Sequence, residues 1–330
     1  MTTAAVLAVV VLALLSIAYG STTIPVSDVI VALERAVGLA EAGPGGPVDR
    51  IIVDMRLPRA ILAIAVGAGL GVVGMLLQTV TRNDLADPFL FGLSAGSAAG
   101  AVAVITHFGD RLGIWTLPAA AFCGGMLATG IVLLLLRRTR GHGPERLILA
   151  RLAVSFLFTA LTNYLVFSGD QRAAHSVLFW TMGGLGLAAW GNIAIGIAGA
   201  VVALAFALIM HRQLDALLAG EHTAESLGVR VGRLQVFAFV AASFATALMV
   251  SVAGVIGFVG LMIPHLARGI VGPLHGRLAV ICALLGAVLL LASDLAARTL
   301  LAAQELPVGI VTNSVGAFFI IALLLRRKRT

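Results

Sequence analysis

Apolar residues occupy this chain in blocks of near-bilayer length, one after another from end to end, separated by short stretches rich in arginine, glycine and proline. A helix needs about 20 apolar residues to cross a hydrocarbon core, with a tolerated range of about 17–25. By that ruler the sequence predicts ten spans, at about 2–19, 57–80, 89–106, 114–136, 147–167, 191–210, 234–253, 257–271, 278–297 and 307–325. The fold class that follows is an all-α membrane protein with ten transmembrane helices in a single domain over 1–330. Two longer non-membrane segments remain, 20–56, rich in glycine and proline near 43–47, and 211–233. Neither is large enough for a separate domain.

The seventh and eighth spans lie in a run, 234–263, that is too long for one helix and too short for two. Something must break it, and Gly254, Gly257 and Gly260 supply the break, because glycine lowers the cost of non-helical backbone and lets helices approach closely. Non-helical backbone at membrane depth is tolerated only where protein or a water-filled cavity satisfies it. The sequence therefore predicts a buried corner here and a short, internal eighth helix.

Composition agrees with a bilayer as the main solvent: 60% of residues are hydrophobic and 11% charged, against roughly 25% charged in an average soluble domain. A formal net charge of +7 raises nucleic acid as a partner, but the basic residues sit between apolar runs, at Arg137, Arg138 and Arg140 and in the tail 326–329. That is the positive-inside pattern of a membrane protein, not a nucleic-acid face. Ten crossings put both termini on one side, and the basic tail puts that side in the cytoplasm. Of the 22 lysines and arginines, 15 then fall inside. The run 4–18 has no basic leader before it and reads as a retained first helix. Cys123 and Cys282 lie in apolar stretches and imply no disulfide.

Two features bear on the source of energy. Lys328 is the only lysine and sits in the basic tail, so the chain has no P-loop and is not its own ATP motor. A gradient-driven carrier usually places carboxylates within the membrane; here Asp294 alone lies well inside a predicted span, four residues before Arg298, an orientation that favours pairing. What remains is a channel or a permease attached to a separate motor. The segment 211–233 carries Leu214, Leu217 and Leu218 at helical spacing, then Gly220, then a second short helix ending at Gly228. Such a pattern outside the membrane fits a docking element for that motor, and equally an interfacial helix lying on lipid.

Several motifs in fixed order carry a resemblance to a known family. They are Arg56-Leu-Pro-Arg59; QTVTRNDLADP at 78–88; Gly92-Leu-Ser-Ala-Gly96; Gly220-Glu221 with Ser226-Leu-Gly-Val229; IGFVGLMIPHLAR at 256–268; and Glu305-Leu-Pro-Val-Gly309. Together they cover nearly the whole chain, which resembles the FecCD-type permeases of importers for cobalamin, ferric siderophores and haem. Asp84 stands where the family usually has proline.

The resemblance implies a cobalamin-importer-permease-like, type II importer subunit in the bacterial inner membrane. It would form a homodimer, served by two ATP-binding cassette subunits that hold the ATP and Mg and by a periplasmic substrate-binding protein. This chain would bind no cofactor, no metal and no nucleic acid, and would not itself be an enzyme. Residue by residue, the resemblance makes Leu217, Gly220, Glu221, Ala224, Leu227 and Gly228 the ATPase-coupling element. It makes Arg56, Arg59 and Arg298 binding-protein docking residues, for which anchoring helix ends at lipid headgroups is the other role that fits. Asn83 and Leu85 become a cytoplasmic gate, or simply loop packing. Arg172 and His175 fall on the substrate path, suited to haem propionates and iron, although a lone histidine is more often structural. Haem is the cargo expected first, with another iron chelate, a siderophore or cobalamin as alternatives.

Overall fold

The computed structural model describes residues 2–20, 22–36, 38–39, 46–88, 92–109, 113–138, 144–301 and 304–327. The predicted span start at 89–91, Arg111, Arg140 and the tail from Lys328 lie outside the described residues.

The chain is helical from α1 (Thr2–Ala18) to α14 (Val308–Arg327). Between them come α2 (Val26–Ala36); α3 (Pro47–Arg50), which runs through a π turn into α4 (Leu57–Thr81); α5 (Leu93–Ala103); α6 (Thr116–Arg138); and α7 (Pro144–Ser168). The second half holds α8 (Ala174–Thr181), α9 (Ile193–Leu218), α10 (Glu221–Ser226), α11 (Val231–Ala253), α12 (Val259–Val271) and α13 (His275–Thr299). Among the described residues seven helices are long and apolar enough to cross a membrane, and each coincides with a predicted span. Three shorter apolar helices, Thr2–Ala18, Leu93–Phe108 and Val259–Val271, occupy the other three predicted positions.

The helix α4 is the centre of the bundle. Of its most apolar stretch 83% is buried, against 17% for α7 at the periphery. A row of glycines on α4 lets neighbours reach its backbone: a Cβ on Gly74 would collide with the Gly260 carbonyl of α12, and one on Gly67 with the Gly286 carbonyl of α13. The predicted break is present at Gly254, whereas Gly260 lies inside α12, where it lets α4 approach, and Phe258 rather than Gly257 takes the second positive φ. The helix α11 stops at Ala253, and the corner passes through Gly254 and Phe258, at φ of 64° and 67°. A second irregular segment meets the corner where α11 ends, with Gly184 N–H donating to Ala253 O at 2.9 Å. The 13-residue α12 that follows is buried over its first six residues.

Two helices exceed the sequence reading. The amphipathic α2 buries Val29 and Ala32 and turns Asp28 and Glu34 outward, inside the non-membrane segment 20–56, to which the sequence reading assigns no element. The helix α9 continues eight residues past the predicted span end at 210, about 12 Å beyond it at 1.5 Å per residue.

Candidate functional site: an arginine cluster at one end and a polar relay at the other

At one end of the bundle the π turn before α4 delivers Arg56, the next turn delivers Arg59, and the end of α13 delivers Arg298. All three turn inward. Arg56, 7% exposed, donates from Nη1 to Ile17 O at 2.7 Å and Ala18 O at 2.9 Å, and from Nη2 to the carbonyl and hydroxyl of Thr22. Arg298, 5% exposed, donates from Nη2 to Ser16 O at 2.8 Å and to Ser16 Oγ at 2.6 Å. Ser16, Ile17 and Ala18 are the last three residues of α1. Their carbonyls have no partner within the helix and carry the negative end of its dipole, so two guanidinium groups cap it.

Arg59 binds carboxylates instead. Its Nε donates to Asp294 Oδ1 at 2.9 Å and its Nη1 to Glu305 Oε2 at 2.8 Å. Asp294 also faces Arg298, with Nε 3.0 Å from Oδ2 across one helical turn; this is a charge contact lacking hydrogen-bond alignment. Asp294 is fully buried and Glu305 half-exposed at the rim. A cavity of about 460 Å³ opens above the cluster, lined by Arg56, Arg59, Arg298 and Glu305 among others.

At the opposite end, α4 finishes in Arg82, at φ 49°, and the chain turns through Asn83-Asp-Leu85. Asn83 Oδ1 accepts the Leu85 N–H at 2.9 Å, which shapes the loop and leaves both side chains exposed. Asp84 lies 3.3 Å from Arg268 Nη1. The same Arg268 atom donates to Gln78 Oε1 at 2.8 Å, while Gln78 Nε2 donates to Gly260 O and Leu261 O.

Beside this loop a polar relay, buried at His275 and Thr79 and partly exposed at Asp215, crosses three helices. Asp215 Oδ1, on α9, accepts from the backbone N–H of His275 at 2.7 Å and from its Nδ1 at 2.7 Å. His275 Nε2 lies 2.8 Å from Thr79 Oγ1, on α4. Asp215 thereby caps the N-terminus of α13, and the last turns of α9 are tied to the base of the Asn83–Leu85 loop. Nothing in the sequence marked His275, because its partners are 60 and 196 residues away.

Past Leu218, Gly220 at φ 102° and Gly228 at φ 84° frame α10, as the two glycine breaks predict. Leu217 and Ala224, expected to meet an ATPase, are instead 4% and 0% exposed and belong to the core, because helical periodicity turns them onto the bundle. They support the element; Leu218 and Leu227, at 48% and 69% exposure, form its outward surface. Glu221 accepts a hydrogen bond from Gln235 at 3.3 Å.

Arg172 and His175 are both exposed but do not act together. His175 stacks at 4.4 Å on Phe179 and lines a cavity of about 370 Å³ with Trp180, Gly184 and Gly254; Arg172 is not among that cavity's lining residues.

Residues 8–326 match the FecCD transport family. This chain belongs to that family. The FecCD-type chain is 40% identical over 279 residues to a cobalamin import system permease protein of Halobacterium salinarum, covering 84% of this chain and 74% of that one. It is 36% identical over 282 residues to a hemin transport system permease protein of Yersinia pestis, covering 84% of each. A solved structure described as an inward-facing conformation of a metal-chelate type ABC transporter superposes with a TM-score of 0.84 at 28% identity, covering 98% of both chains. The relatives are permease subunits of ABC transporters for cobalamin, haem, siderophores and ferric dicitrate, and the FecCD-type chain is a multi-pass membrane protein of that class.

Proposed function

We propose that this chain is the permease subunit of an ATP-driven importer that carries haem or another iron chelate from periplasm to cytoplasm across the inner membrane. In this reading ten helices cross with both termini inside, and two copies form the pathway. Two ATP-binding cassette subunits, which hold the ATP and Mg, dock below, and a periplasmic binding protein docks above. The observation that carries the reading is α10, a six-residue helix set between two left-handed glycines beyond the end of a transmembrane helix, with Leu227 exposed and the core closed behind it. An apolar knob on a rigid base suits a partner that pushes on it.

Docking of the binding protein falls to the outer cluster. Arg56, Arg59 and Arg298 are bonded to their own chain, so a carboxylate-bearing partner would engage the Arg59–Glu305 rim first and reach Arg56 or Arg298 by exchanging bonds to α1. Haem is the cargo read first, supported by the exposed Arg172 and His175. The family also holds relatives named for cobalamin and siderophores. A gradient-driven carrier is disfavoured by Asp294, whose charge is opposed by both Arg59 and Arg298.

The test is uptake into proteoliposomes holding the chain together with the ATPase and binding protein encoded beside it. ATP-dependent haem uptake supports the full reading. ATP-dependent uptake of cobalamin or a ferric siderophore but not haem sinks the cargo alone, and uptake driven by a proton gradient without ATP sinks the importer. Leu227→Arg should abolish co-purification of the ATPase while stability stays within about 0.5 kcal/mol, the usual range for an exposed site. Undiminished co-purification removes α10 from the interface.

A further inference from the structure

A groove of about 850 Å³ runs between α9 and α11 toward the end that carries α10, and apart from Leu227 and Gly228 at that end its lining has none of the roles above. Its walls are Phe206 and Met210 of α9 and Phe237 and Phe244 of α11, and its mouth holds Arg230 and Arg233. From Arg230 to Phe244 is 14 residues, about 21 Å along a helix. One leaflet is about 15 Å of hydrocarbon plus its headgroups. The groove is therefore about as long as one acyl chain with its headgroup, apolar inside and cationic at the surface.

The charge at the mouth has no acidic counterpart among the described residues. Among the described residues no carboxylate lies within ion-pair distance of Arg230 or Arg233; Arg233 has the Phe237 ring 6.0 Å from its guanidinium carbon. Both side chains are exposed. An arginine fork matches a phosphodiester bidentately, and a basic pocket between membrane helices is the usual seat of an anionic headgroup. A second copy of the chain is a poor occupant, because a two-fold contact would bring these unpaired arginines toward their own copies.

We propose that this groove binds an anionic phospholipid, with an acyl chain against Phe206, Met210, Phe237 and Phe244 and the phosphodiester on Arg230 and Arg233. Leu227 and Gly228 also line it, so a bound lipid would brace the coupling element from behind. That consequence rests on the proposed function; the binding itself does not.

The test uses the purified, delipidated full chain in detergent, titrated with phosphatidylglycerol or phosphatidylcholine and read by native mass spectrometry. Phosphatidylglycerol should bind more tightly, and the Arg230→Ala/Arg233→Ala double variant should lose about tenfold to thirtyfold of that affinity, at roughly 1 kcal/mol per arginine, while phosphatidylcholine, whose choline cation offsets the same phosphodiester, should lose less, so that the preference between the two lipids falls. Val240→Trp, which fills the groove and leaves both arginines in place, should weaken both lipids; thermal melts of both variants confirm folding. Equal binding of the two lipids, or a full phosphatidylglycerol preference in the double variant, overturns the proposal. So does a change of oligomeric state in the double variant without loss of lipid, which would make the groove a protein contact.

Discussion

Arginine serves the two ends of this molecule in opposite ways. At the outer end Arg56 and Arg298 are 7% and 5% exposed, and their donors point at the closing carbonyls of α1. At the other end Arg230 and Arg233 stand exposed over an apolar groove with no carboxylate of the described chain beside them. Residue type and nearness to a helix end are the same in both places. What differs is which helix terminus reaches the guanidinium: α1 ends among the outer arginines and offers carbonyls with no partner inside the helix, whereas Arg230 and Arg233 begin α11, where a helix offers N–H groups that repel a cation. The outer arginines are therefore structural first, and any partner must compete for them; the inner pair is available to a ligand from the start.

The strongest way to break this contrast is to remove the charge on which the outer cluster turns. Asp294 is fully buried between Arg59 and Arg298, and Asp294→Ala leaves two buried guanidinium groups facing each other. Breaking a buried pair by deleting one partner costs about 3–5 kcal/mol. Thermal unfolding in detergent should show a loss of that order, with Arg230→Ala close to wild type. If the two variants melt alike, the outer cluster is no more structural than the groove mouth.

The relay is next in size. His275→Ala removes the ring that joins Asp215 to Thr79 and leaves Thr79 without its buried partner, while the backbone N–H that Asp215 accepts at the start of α13 remains; the loss should be about 1–3 kcal/mol in the same melt. Thr79→Val removes one link and should cost less. Equal losses would mean that the Thr79 contact, not the ring bond to Asp215, carries the relay between α9 and α4.

Much of this architecture is legible in the sequence, and the remainder is hidden for definite reasons. The glycines at 220, 228 and 254 predict breaks because only residues tolerant of positive φ sit easily there, and each adopts one. Apolar blocks place the helices because bilayer thickness fixes their length. The partners of Arg56 and Arg298 are backbone carbonyls of α1, and a carbonyl has no signature in a sequence. The helical spacing of Leu214, Leu217 and Leu218 is visible, but its phase against the bundle is not; the core takes Leu214 and Leu217 and leaves Leu218 outside. The helix α2 escapes a search for long apolar runs because it is 11 residues long and buries only one side.

The smallest expected effect gives the sharpest version of the comparison, because it separates the rim of the outer cluster from its centre. Glu305 and Asp294 bind the same guanidinium at similar distances, 2.8 and 2.9 Å. Glu305 is 43% exposed, however, and water can replace what it contributes, so its pair with Arg59 belongs with surface ion pairs of about 0–1 kcal/mol. Glu305→Gln should shift the melt by no more than that, and the shift should shrink as salt screens it. Asp294→Ala should keep its full cost at high salt, since a buried pair is screened much less. A Glu305→Gln loss as large as that of Asp294→Ala, and equally insensitive to salt, would show that the cluster acts as one unit up to its rim. The Arg59–Glu305 edge would then be no easier for a docking partner to open than the bonds to α1.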